Sequence, residues 1–150
     1  MGKQIIGVIG GRRVKRELLI TAEAVGRMIA ERGLILICGG LTGVMEAVSK
    51  GAKEAGGITI GILPQDTKDE ANPYIDIPIA TGFGIGRNVI IVRTADVVIA
   101  IGGEYGTLSE IAFALQLGKP VIGIDTWDIK GLIRAVDAND AINKMIECLT

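Results

Sequence analysis

A chain of 150 residues with a formal net charge of −1, 49% hydrophobic residues and only 3% aromatics has the length of one ordinary domain, residues 1–150, and a core of Ile, Val, Leu and Ala. The near-neutral balance lacks the excess of Lys and Arg that neutralises nucleic-acid phosphates, so nucleic acid is not an expected partner. No apolar run approaches the roughly 20 residues of a membrane span, and the first residues show no leader pattern, so no membrane association and a cytoplasmic location are expected.

Gln4 to Ile9 reads as a first strand closed by Gly10 and Gly11; Leu18, Leu19, Ala22, Val25 and Ile29 then recur at helical spacing as far as Gly33. Arg12, Arg13, Lys15 and Arg16 crowd the start of that helix, where the macrodipole disfavours cations. Either they face a bound anion or an acidic surface, or they are solvated at little net cost. Leu34 to Cys38 is a second strand. The turn Gly39-Gly40-Leu41-Thr42-Gly43 carries it into a helix from Val44 to Ala55, with Thr42 as the expected cap. Ile58 to Leu63 is a third strand, and Ile75 to Ala80, which contains Pro78, is a weak edge strand. Gly82 to Gly86 leads into a short helix from Arg87 to Arg93; its glycine spacing matches only the start of a dinucleotide fingerprint. Cys38 and Cys148 have no CxxC spacing and the chain has no histidine, so no metal is expected and both cysteines read as reduced structural thiols.

Ala95 to Pro120 is the stretch around which the rest is organised. The β-branched run Val97 to Ile101 breaks at Gly102 and Gly103, passes Glu104, Tyr105 and Gly106, and restarts as a helix through Leu108, Ile111, Ala112 and Leu115. Strand, glycine turn and helix together suit a phosphate, because glycine admits close approach and the free amides of a helix start attract an anion. Thr107 to Glu110 also fits a capping box, which would give Glu110 a purely structural role. Val121 to Ile124 is a further strand, Leu132 to Val136 a short strand or helical turn, and Asp137 or Asn139 opens a last amphipathic helix.

Apolar strands alternating with helical periods predict one doubly wound α/β domain, with a mainly parallel sheet of about six or seven strands and helices on both faces. Ligands of such sheets sit at strand carboxyl ends where the strand order reverses. The expected site therefore lies between the Gly39 to Gly43 turn and the Gly102 to Thr107 turn. Arg87 and Thr107 would be its side-chain contacts, with Glu110 nearby and Gly10, Gly11, Asn88 and Gly106 in reach.

Four stretches together carry a resemblance along nearly the whole chain: VIGG at Val8 to Gly11, CGGLTGVMEAVSKGAKEAGG at Cys38 to Gly57, GRN at Gly86 to Asn88, and GGEYGTLSE at Gly102 to Glu110. The chain resembles the LOG-like Rossmann superfamily, once labelled "lysine decarboxylase-like", and within it most closely the branch of molybdenum cofactor carrier proteins. The resemblance implies binding of a phosphorylated ligand such as molybdenum cofactor or a nucleotide, with no resident cofactor required. It also implies self-association, a homodimer or higher. The alternative it implies is phosphoribohydrolase activity, which cleaves nucleoside 5′-monophosphates to a free base and ribose 5-phosphate with Arg87 and Glu110 as the catalytic pair. Against the PGGxGTxxE motif of those enzymes, Gly102 stands in place of the proline and Glu104 in place of the second glycine. Asn88 follows the arginine where they have lysine, and Glu46 stands where they have glycine. Nothing in the chain supports the decarboxylase label.

Overall fold

The glycine-punctuated apolar runs become strands and the helical periods pack over them in a computed structural model that describes residues 2–150. In chain order the elements are β1 (Ile5–Gly10), α1 (Arg16–Glu31), β2 (Ile35–Cys38), α2 (Val44–Glu54), β3 (Thr59–Leu63) and β4 (Ile77–Ala80). After a 3-10 turn at Gly84–Arg87 come α3 (Asn88–Thr94), β5 (Val97–Ile101), α4 (Tyr105–Gln116), β6 (Val121–Ile124), β7 (Ile133–Ala135) and α5 (Ala138–Leu149). All seven strands join one sheet in the order β4-β3-β2-β1-β5-β6-β7, and every pairing is parallel. Among the described residues no helix is long and apolar enough to cross a membrane.

The period-two geometry of a strand divides the core. Val97, Ile99 and Ile101 of β5 join Ile6, Val8 and Leu36 beneath α1, α2 and α5. Val98 and Ala100 face the opposite way, with Ile9, Ile37, Ile91 and Ile111, beneath α3 and α4. Strands buried on both faces are the reason their sequences are nearly continuous apolar runs. The expected edge strand is present: Pro78 sits in β4, which pairs only with β3, and Ile77 and Ile79 remain exposed. Chain order reverses between β1 and β5, registered Ile6 to Val97 through Gly10 to Ile101, and this opens a crevice at their carboxyl ends.

Two of the expected caps are corrected. Thr42 is exposed and does not cap α2; Gly43 is its N-cap, without a side-chain hydrogen bond, and the first helical amide, Val44 N–H, donates to Gly11 O at 3.0 Å. The β1 turn supplies the acceptor that a hydroxyl would otherwise provide. The capping box at Thr107 is absent too, because α4 begins at Tyr105 with Glu104 as its N-cap. That start places Thr107 in the first turn and Glu110 in the second. At the last helix the expectation holds, with Asp137 accepting from Asp140 N–H at 2.8 Å.

Candidate ligand-binding site

At the switch point the chain encloses a cleft of about 530 Å³, within the roughly 300–1,000 Å³ range of small-molecule sites. Three turns build it. The β1 turn contributes Gly10, Gly11, Arg12 and Arg13; the β2 turn contributes Gly39; the β5 turn and the first half of α4 contribute Glu104, Gly106, Thr107 and Glu110. Arg87 and Asn88 close the side between them, and Ile9, Met45, Pro64 and Ile85 supply apolar wall. The first and third turns abut directly, since a Cβ on Gly11 would lie 3.2 Å from the Gly103 Cα.

Arg87 is the deepest cation, only 8% exposed. Its Nε–H donates to Ile62 O at 2.9 Å, and Nη1 donates to Asn88 Oδ1. These anchors hold the guanidinium at the end of β3, with Nη2 so near Gly39 that a Cβ there would be 2.8 Å away. Met45 Sδ is nearer still, at 2.6 Å, so thioether and guanidinium together occupy the space a side chain at Gly39 would take. Burial lowers the Arg87 pKa, Glu110 opposes that shift, and the Arg12 charge adds to it. A buried cation near another cation is favourable toward an anion entering the cleft.

Glu110, also 8% exposed, takes part in none of the ion pairs found among the described residues. Burial pushes its carboxyl up to about 8, against the lowering effect of Arg87. A strongly shifted carboxyl in a cleft marks a functional site more often than a structural one. Thr107 is 3% exposed and presents its hydroxyl beside Gly103, whose added Cβ would lie 2.2 Å from Oγ1. Helix geometry leaves the first α4 amides, from Tyr105 to Thr107, without partners inside the helix. The turn that presents them is pinned from behind, where Trp127 Nε1–H donates to Glu104 O at 3.0 Å and its ring lies 6.0 Å from that of Tyr105.

Of the residues expected from the sequence, Gly10, Gly11, Gly39, Arg87, Asn88, Gly106, Thr107 and Glu110 line this one cleft. Gly40, Thr42, Gly43, Gly102 and Gly103 do not. Gly40 and Gly43 are packing positions with φ of +77° and +73°: a Cβ would meet Leu63 Cδ2 at 2.6 Å on the first and Gly11 O at 2.5 Å on the second. Gly102 backs onto Val14 and Leu18. The basic cluster divides, because Arg12 and Arg13 line the cleft whereas Lys15 and Arg16 are exposed at the start of α1. Their misfit with a helix start was the signal in the sequence. Met45, Pro64 and Ile85 carried no signal of their own, being ordinary apolar residues. Among the described residues no His, Cys, Asp and Glu gather into a group able to hold a metal ion.

Fold and cleft together define a doubly wound α/β protein with a crevice at its switch point lined by three arginines and two glutamates. The chain belongs to the SLOG cluster4 family, whose profile matches residues 3–148, within the LOG-like Rossmann superfamily. Its structure is similar to that of the molybdenum cofactor binding protein from the phototrophic bacterium Rippkaea orientalis, with a TM-score of 0.95, 40% identity, and coverage of 100% of this chain and 99% of that one. It is also similar to the molybdenum cofactor carrier protein from Chlamydomonas reinhardtii, with a TM-score of 0.90 and 38% identity over 99% of both chains. Among enzymes, it is 34% identical to a cytokinin riboside 5′-monophosphate phosphoribohydrolase of Mycobacterium tuberculosis over 74% of this chain, an alignment that spans 64% of the enzyme's length.

Proposed function

We propose that the cleft binds a phosphorylated small molecule, a molybdopterin-type cofactor or a nucleotide, in the manner of a carrier. The observation that carries this reading is the buried Arg87 guanidinium, anchored on Ile62 O and Asn88 and opening into the same space as the α4 amides. Amides, the Thr107 hydroxyl and a planar guanidinium are the partners a phosphate takes. Arg12 and Arg13 at the rim add positive potential that draws such a ligand in. The likeness to cofactor-binding chains across their full length supports a carrier. Native mass spectrometry of the purified protein tests it: a co-purifying phosphorylated molecule is expected, and failure to bind any phosphorylated ligand in subsequent titration would overturn it.

A second reading, phosphoribohydrolase activity, is favoured by one observation, the burial of the Glu110 carboxyl in the same cleft as Arg87, which raises its pKa. In N-glycosidic cleavage the bond from base to sugar breaks, water supplies the new sugar hydroxyl, and the departing base takes up a proton. A neutral carboxyl can deliver that proton while Arg87 holds the phosphate. Chromatography of a nucleoside monophosphate incubated with the protein tests this; free base that disappears in Glu110→Gln supports it, and no free base refutes it.

Self-association belongs to the same proposal. In α4 the only charged residue is Glu110, which is buried, while Phe113 and, at the helix C-cap, Leu117 are exposed. Ile85, 71% exposed, both lines the cleft and extends that apolar surface through the 3-10 turn to α3. A second copy of the chain, seated on this face, buries it and closes the cleft wall at Ile85. Sedimentation velocity at micromolar concentration is expected to give a dimer or larger, and a monomer refutes the pairing.

A further inference from the structure

We infer that Glu104 selects the heterocycle of the ligand, its carboxylate accepting the paired N–H edge of an aminopyrimidinone ring of the guanine or pterin kind. The inference rests on the reading of the cleft as a phosphate site and states what lies at the other end of the ligand. Glu104 is exposed and lines the cleft. Although it is the N-cap of α4, its side chain makes no cap hydrogen bond, so the carboxylate is not spent on the helix. Nor does it enter any ion pair among the described residues, although Arg12 and Arg13 line the same cleft. Its backbone, by contrast, is fixed by the Trp127 indole.

An ionised carboxylate only accepts hydrogen bonds. One residue away from amides that suit a phosphate, it repels a second anion and is favourable only toward a part of the ligand that donates. Two adjacent, coplanar N–H groups match its two oxygens, as in a guanidinium fork. The adenine edge offers one amino group beside a ring-nitrogen lone pair, which would face an oxygen lone pair. Sites built to hydrogen-bond a donor reject an analogue that lacks it more strongly than apolar pockets reject a change of size. The phosphate then lies deep, at Arg87 and Thr107, and the ring lies at the mouth against Glu104.

Equilibrium titration of the whole protein with guanosine, inosine and adenosine 5′-monophosphates, and with inorganic phosphate, tests the inference. The guanine nucleotide is expected to bind tightest, the inosine nucleotide next and the adenine nucleotide weakest, with a spread of about tenfold or more for a paired contact. Glu104→Gln should shrink the spread to about twofold, because the amide keeps one acceptor and loses the charge. Its melting temperature should stay that of the wild type. Equal binding of the three nucleotides overturns the inference while leaving the phosphate site standing. So does a guanine preference that survives Glu104→Gln, or binding that depends on a divalent cation and loses that dependence in the variant. If neither phosphate nor any nucleotide binds, the cleft reading fails and the inference falls with it.

Discussion

The turn after β2 and the turn after β5 look alike in sequence, each a pair of glycines with a third glycine three residues on and a helix beside it, yet they do different work. After β2 the glycines serve the protein's own packing. Gly43, with φ of +73°, holds its missing Cβ against Gly11 O, and only Gly39 reaches the cleft, to make room for Arg87 and Met45. After β5 Gly102 and Gly103 also pack, against Val14 and Leu18 and against Thr107, but Gly106 opens outward: an added Cβ there would meet nothing within 4 Å, and Glu104, Gly106, Thr107 and Glu110 all line the cleft. Glycine marks the absence of a side chain, and only the packing tells whether backbone or ligand fills the space.

The sharpest test of this contrast is Gly43→Ala. A positive φ and a backbone oxygen 2.5 Å from the new Cβ should cost about 3 kcal/mol of stability, read as a lowered urea midpoint; an unchanged midpoint breaks the comparison on the packing side. Glu110→Gln addresses the other turn. Burial raises the folded-state pKa from 4.5 to about 8, so across that window the folded protein keeps a proton that the unfolded chain has released. Stability from this group is thus complete below pH 4.5 and is lost as the pH rises through about 8. Relative to wild type, Glu110→Gln should gain on the order of a few kcal/mol between the two ends of the window, measured by denaturation at each. A variant weaker by the same amount at both ends would show that the Glu110 carboxyl titrates alike in the folded and unfolded chain, against the raised value. Smallest is Gly106→Ala, in an open helical position, which should stabilise by about 0.5–1 kcal/mol while weakening ligand binding, because the methyl enters the cleft. A stable variant with undiminished affinity would remove Gly106 from the site.

These differences explain what the sequence could and could not convey. Alternating apolar runs made the parallel sheet legible, including the edge strand marked by Pro78, since burial on both faces leaves a compositional trace. Arg87 stood out as a polar residue opening an apolar helix, and Thr107 and Glu110 because they follow a glycine turn at the end of a central strand; all three line the cleft. The start of α4 was not. Thr107 and Glu110 have the spacing of a capping box, but Gly102 and Gly103 at positive φ and the Trp127 bond to Glu104 O let the helix begin at Tyr105, and no local pattern encodes that tertiary contact. Arg12 and Arg13 stood out together with Lys15 and Arg16. Their separation depends on where the β1 turn passes the cleft, which is a property of the closed sheet.

The most direct measurement is a thermodynamic cycle that pairs removal of Arg87 with removal of the phosphate. Guanosine 5′-monophosphate and guanosine are titrated into the wild type and into Arg87→Ala. Expected is a loss of about 1.5–3 kcal/mol for the nucleotide in the variant, the range for a hydrogen bond to a charged group, with the nucleoside binding both proteins alike. Full affinity of the nucleotide for Arg87→Ala would contradict the placement of the phosphate at this arginine.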